Sequence, residues 1–144
     1  MNKKIVIIPI AVIIVILTGS FLLDTPTKNE NQVFFHATLA DPALYENGIY
    51  TSIFTINSGE YYFRFVPNGS SPEILSITMK GKDFNFDENF ELKGTPHQTG
   101  ISEYFTWEYL GEKTFAVDQT QEILITINPN GKIMGSVSVD ILEN

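Results

Sequence analysis

The 144-residue chain has no cysteine. This excludes disulfides, thiol catalysis, cysteine-ligated zinc and iron–sulfur clusters. An exported domain built from it must therefore hold together by its core. Arginine is almost missing too: Arg64 stands alone beside eight lysines (9 − 1 = 8). One guanidinium leaves no cluster for bidentate capture of phosphate or carboxylate. Histidine occurs twice, at His36 and His97. No Gly-x-Ser-x-Gly elbow, phosphate loop or His-Glu-x-x-His pair occurs. After residue 24 no stretch carries the 3.6-residue apolar period of an amphipathic helix. Internal repeats and low-complexity segments are absent.

What the chain does have begins with residues 5–23, which carry no charge, follow Lys3 and Lys4, and are followed at once by Asp24. A hydrocarbon core of ~30 Å takes roughly 20 apolar helical residues to cross. Pro9 and Gly19, poor inside a soluble helix, are tolerated in a membrane one. The expectation is a signal anchor: residues 1–4 a cytoplasmic stub, 5–23 a transmembrane helix, 24–32 a linker containing Pro26. Lysines before the run and an acid after it place the N-terminus in the cytoplasm and the rest outside. The competing reading is a signal peptide with an apolar region over 5–17 and small residues Thr18 and Ser20, cleaved to leave a secreted soluble domain.

All 17 acidic residues lie from Asp24 onward with seven of the nine basic ones, so that part carries 7 − 17 = −10. Such a surface repels nucleic acid and anionic lipid heads and attracts cations. The expected partners are the membrane, through residues 5–23, and envelope proteins or glycans, with no nucleic acid.

From Val33 the pattern has period two. Predicted strands cover 32–39, 48–57, 60–67, 73–80, 82–93, 102–111, 113–117 and 121–128, followed by a last one near the end. Asp41-Pro42 could start one short helical turn. Tyr61, Phe63 and Phe65 share a face, as do Leu75, Ile77 and Met79, then Ile123, Ile125 and Ile127, then Val137, Val139 and Ile141. Asn68-Gly69 reads as a hairpin turn, Pro129-Asn130-Gly131 as a turn into the last strand, and 95–100 as a loop. Residues 33–144 are thus expected to form an all-β domain, an antiparallel β-sandwich or jelly roll of about eight strands. Phe105, Trp107 and Tyr109 share one strand face, with Trp107 expected at the centre of the core.

Candidate chemistry is sparse. Asp83-x-Asn85-x-Asp87 has the opening of a calcium loop, with oxygens at positions 1, 3 and 5. The match then fails at Glu88, where glycine is needed, and at Gly94, where a bidentate glutamate is needed. On a strand the three side chains would be spread along the solvent face rather than converge. No cofactor is expected; calcium is the one alternative, against the bland reading of a strand burying Phe84, Phe86 and Phe90. His36 and His97 could contribute to zinc only with a carboxylate; hydrogen-bonded or surface histidines fit better. Glu103 and Glu108 could suggest a small glycoside hydrolase, but five residues apart on a strand they face opposite sides. Tyr62, Tyr104, Trp107 and Tyr109 would form a sugar-stacking platform if they shared an exposed face; alternating aromatics in a sandwich otherwise belong to its core. Asn68-Gly69-Ser70 is a glycosylation sequon at Asn68, and equally a turn.

In layout, GEYYFRFVPNG (59–69), ILSITMKG (74–81) and ILITINPNGKIMGSVSVDI (123–141) resemble small extracytoplasmic β-sandwich modules of the Golgi dynamics (GOLD) and pre-peptidase C-terminal types. The resemblance rests on a strand of the form Gly-x-Tyr-x-Phe-x-Phe, here Gly59, Tyr61, Phe63 and Phe65, and spans about 48–142. It implies a non-catalytic interaction module. Vesicle-traffic GOLD proteins have a C-terminal anchor, a coiled coil and a cysteine pair, so cargo selection does not carry over. The expected function is a single-pass, membrane-anchored binding or envelope-structural module without catalysis. A carbohydrate- or calcium-dependent adhesion module is the alternative.

Overall fold

The computed structural model describes residues 32–144. The expected stub, membrane helix and linker up to residue 31 lie outside the described residues. Among the described residues no helix is long and apolar enough to cross a membrane.

The chain forms β1 (Val33–Leu39), a 3-10 turn at Pro42–Leu44, β2 (Tyr50–Ile56), β3 (Gly59–Pro67), β4 (Ile74–Lys80), β5 (Asn85–Thr99), β6 (Ser102–Leu110), β7 (Thr114–Val117), β8 (Gln121–Asn128) and β9 (Val137–Glu143). The short turn starts where Asp41-Pro42 predicts it. The Asp41 carboxylate accepts from the Ala43 N–H at 2.9 Å, and Pro42 occupies a position whose N–H would have had no partner.

Two antiparallel sheets result, one ordered β1-β9-β3-β7 and the other β2-β8-β4-β5-β6. The described residues are all-β, with a sandwich-like pair of sheets. The period-two faces supply the core: Tyr61, Leu75, Ile77, Met79, Ile123, Ile125, Ile127, Val139 and Ile141 are fully buried, and Phe63 and Val137 nearly so. Aromatic rings bridge the two layers. Phe63 packs on Phe86 and Phe90, and Phe65 on Phe90 and Tyr109, with centroids 4.8–5.4 Å apart. Each fully buried side chain of this size contributes about 1.5–3 kcal/mol relative to exposure. Without a disulfide, this layer holds the domain together.

Two local expectations are corrected. Asn68-Gly69 does not close a hairpin, because β3 and β4 belong to different sheets. The turn closed by the Ser71 N–H on the Asn68 carbonyl at 3.0 Å is the start of a crossing. Pro129-Asn130-Gly131 is a turn leading to the last strand, as expected, with the Lys132 N–H on the Pro129 carbonyl at 3.1 Å, and it too crosses between sheets. Only β4–β5 and β5–β6 join adjacent strands directly; the other six connections pass between layers. Lastly, 95–100 is not a loop. β5 runs on to Thr99 and pairs with β6 as far as Thr99↔Ser102. Pro96 is accommodated because the β4–β5 ladder ends at Ile74↔Glu91, leaving β5 a neighbour on one side only.

Candidate functional site

Two constellations stand out. The first is the part of β5 and β6 that outruns β4. Beyond Glu91 these strands form a two-stranded ribbon, closed at its tip by Gly100 (φ +46°) and the fully exposed Ile101. A positive φ is accessible to glycine without strain. Antiparallel register assigns each pair to a face. Leu92↔Tyr109 continues the core face. The following pairs on that side are Gly94↔Trp107, Pro96↔Phe105 and Gln98↔Glu103. The other side carries Lys93↔Glu108, Thr95↔Thr106 and His97↔Tyr104.

On the core-side face the apolar pattern continues after the opposing sheet has ended. Tyr109 is fully buried and donates its hydroxyl to the Pro72 carbonyl at 2.5 Å. Burial also raises its pKa above the ordinary tyrosine value. Trp107, by contrast, is 43% exposed and Phe105 49%. Trp107 is therefore not the centre of the core, as the strand pattern suggested; its strand has left the sandwich by that point. Its six-membered ring lies over Gly94, where a Cβ would sit 2.4–2.8 Å from three ring carbons. Phe105 lies beside it, centroids 5.8 Å apart and planes 26° apart. On the reverse face His97 stacks on Tyr104 at 5.0 Å, and its Nε2 is 2.7 Å from Thr106 Oγ1.

The four aromatic candidates do not share one surface. Tyr62 is half-buried on the outer face of the four-stranded sheet, opposite Leu142 and Thr114. Tyr104 is exposed on one side of the ribbon, Trp107 on the other, and Tyr109 is inside. Phe105, which was not among them, joins Trp107. Glu103 and Glu108 lie on opposite faces, as their spacing requires.

The second constellation crosses the outer face of the four-stranded sheet. His36, Asp140 and Arg64 are register neighbours on β1, β9 and β3. His36 Nδ1 lies 2.5 Å from Asp140 Oδ1, while Arg64 Nε and Nη2 donate to Oδ2 at 2.9 and 2.8 Å. Asp140 is 3% exposed although its strand position faces outward; the side chains of its partners are more than half exposed. Thr38 Oγ1 is 3.1 Å from His36 Nε2 and 3.2 Å from Ser138 Oγ. The order Thr38–His36–Asp140 is that of a hydroxyl–imidazole–carboxylate relay. Here, though, the carboxylate is shared with Arg64 from the other side, and the row fastens three strands together. We regard it as a cross-strand clamp. No local pattern marks Asp140; only the order of the strands brings its partners to it.

The remaining candidates stay apart. Asp83 accepts from Gln119 Nε2 at 2.6 Å and Asp87 from Thr78 Oγ1 at 3.1 Å, while Asn85 lies opposite Lys80. Among the described residues no group of three or more acidic or histidine side chains could hold a metal ion. His36 and His97 belong to different sheets. Asn68 lies in an exposed turn, where its Oδ1 accepts from the Ser70 N–H and hydroxyl at 3.0 and 2.9 Å. No protein-family model, curated protein or solved structure matches the chain. The layout resemblance to GOLD-type modules accordingly carries no residue roles here.

Proposed function

We propose that the chain is a membrane-tethered, extracytoplasmic binding module that does no catalysis, and that the β5–β6 ribbon is its contact surface. The tether rests on residues 5–23 and their flanking charges. The contact surface rests on one observation: Phe105 and Trp107 stand side by side and about half exposed, on strands that have left their own sandwich. Large apolar side chains grouped beyond a core mark an interaction site more often than chance exposure. The secreted-domain reading keeps the same surface and differs only in the tether.

Two measurements test this. Protease added outside intact cells, followed by alkaline extraction of the membranes, should remove the domain and leave an N-terminal fragment in the bilayer. A domain protected from external protease would refute the orientation. A photo-crosslinking residue replacing Phe105, in native membranes, should give discrete adducts that the same residue at Ile53, on the far strand β2, does not give. Equal yields at both positions would refute the ribbon as the contact surface.

A further inference from the structure

The class of ligand follows from what surrounds the two rings. We infer that the core-side face of the ribbon binds an uncharged glycan chain, whose sugar rings stack on Trp107 and Phe105 while Gln98 and Glu103 hydrogen-bond its hydroxyls. The inference rests on the reading of this ribbon as a contact surface.

Three observations carry it. First, the rings are laid down rather than standing. Gly94 is the residue under Trp107, and any side chain there would occupy the space of the indole. Phe105 is stacked beside it, with planes 26° from parallel, and each ring keeps about half of its surface open. The apolar C–H face of a pyranose packs on such a surface, and an aromatic face carries negative charge density that suits it. Second, the next pair on the same face is Gln98↔Glu103. Neither side chain makes a hydrogen bond or ion pair among the described residues. Both end in planar groups that can meet two neighbouring hydroxyls at once. They also line a shallow open depression together with Gly100, Ile101 and Ser102. The reverse face differs: His97 there is stacked on Tyr104 and hydrogen-bonded to Thr106, and Lys93 adds a cation.

Third, charge selects against the alternatives. Lys93 is turned to the other face opposite Glu108, so the ring face has Glu103 and no cation. The described residues carry six basic and 15 acidic side chains, 6 − 15 = −9. An anionic lipid surface or a polyanionic glycan would be repelled. A neutral polyhydroxyl chain meets no such barrier. Two stacked rings in an open site imply weak binding.

Trp107 is the only tryptophan, so its fluorescence reports on this face alone. The full chain, purified in a zwitterionic detergent without a sugar headgroup, is titrated separately with cellohexaose, chitohexaose and maltohexaose. At least one should give a saturable blue shift and cut acrylamide quenching of Trp107 at least twofold. Phe105→Ala should weaken that response at least tenfold and Glu103→Gln at least threefold, with unchanged far-ultraviolet circular dichroism. No response to any of the three hexaoses overturns the glycan assignment. If anionic vesicles or simple concentration of the protein shift the emission instead, the surface is a lipid or self-association site: the contact surface stands and the glycan does not. If Trp107 in the free chain is already blue-emitting and inaccessible to acrylamide, the contact-surface reading falls as well.

Discussion

Removing the partners of Asp140 should cost more stability than removing Asp140 itself. Asp140→Ala takes away the acceptor shared by both partners, His36 and Arg64. A hydrogen bond to a charged group is worth about 1.5–3 kcal/mol, but the His36 and Arg64 side chains are more than half exposed. Solvent screening reduces each contact to about 1 kcal/mol, and both freed side chains return to water without penalty. The loss is then about 2 kcal/mol. Arg64→Ala alone leaves the carboxylate on His36 and costs about 1 kcal/mol by the same reasoning. The double variant His36→Ala/Arg64→Ala strands a carboxylate that is 3% exposed. An uncompensated buried charge costs about 3–5 kcal/mol.

The sharpest consequence concerns the third substitution. Adding Asp140→Ala to the double variant removes the stranded charge, so the triple variant should be more stable than the double by about 1–3 kcal/mol. Thermal unfolding of the full chain, followed by far-ultraviolet circular dichroism, resolves this at roughly 4 °C per kcal/mol for a domain of about this size. If the single costs simply add and the triple melts with the double, the reasoning is refuted. Water would then reach Asp140 as soon as its two covering side chains are shortened, and its burial would be only their shadow.

Other expectations can be checked by the same melts. Tyr109→Phe should cost about 1–2 kcal/mol by leaving the buried Pro72 carbonyl unpaired, whereas Tyr45→Phe should be neutral or slightly stabilising, because the Tyr45 hydroxyl is buried with no partner among the described residues; a loss at Tyr45 equal to that at Tyr109 would contradict both. Burial raises the pKa of Tyr45, Tyr61 and Tyr109, with Glu143 adding to the effect at Tyr61. Below the unfolded tyrosine value of about 10 both states hold these protons; above it the unfolded chain releases them first, so stability should fall as pH rises past about 10, less steeply in Tyr109→Phe. Gly94→Ala should leave far-ultraviolet circular dichroism unchanged while increasing acrylamide quenching of Trp107, since the new methyl lifts the ring from the strand; unaltered quenching would mean the ring does not lie there.

The core rows were legible from the sequence because alternation depends only on a strand having one buried face. Leu75-Ile77-Met79 and Ile123-Ile125-Ile127 are inward whichever strands lie beside them. The clamp was not legible, because Asp140 meets His36 across 104 residues and Arg64 across 76. Parity correctly turned Asp140 outward and could not foresee that its own partners would cover it. Turn chemistry failed for a related reason. Asn68-Gly69 bends the chain as such pairs do, yet whether a bend joins neighbours or changes sheets depends on the strand order.

Trp107 shows where the pattern itself runs out. Phe105, Trp107 and Tyr109 have identical spacing, and the one physical difference among them is how far the opposing layer and β4 reach. Pairing of β4 with β5 stops at Glu91, two residues before Lys93 and three before Gly94, so Tyr109 is covered and Trp107 is not. A strand that merely overran its sheet would be expected to turn polar on both faces at that point, since exposed apolar rings invite aggregation. This one keeps a burial pattern for two more pairs, places a glycine under the larger ring, and only then becomes polar at Gln98 and Glu103. Apolar residues patterned for burial where the protein supplies no cover are what a surface covered by something else requires. The misplacement of Trp107 in the core and its proposal as a binding residue thus have one physical origin.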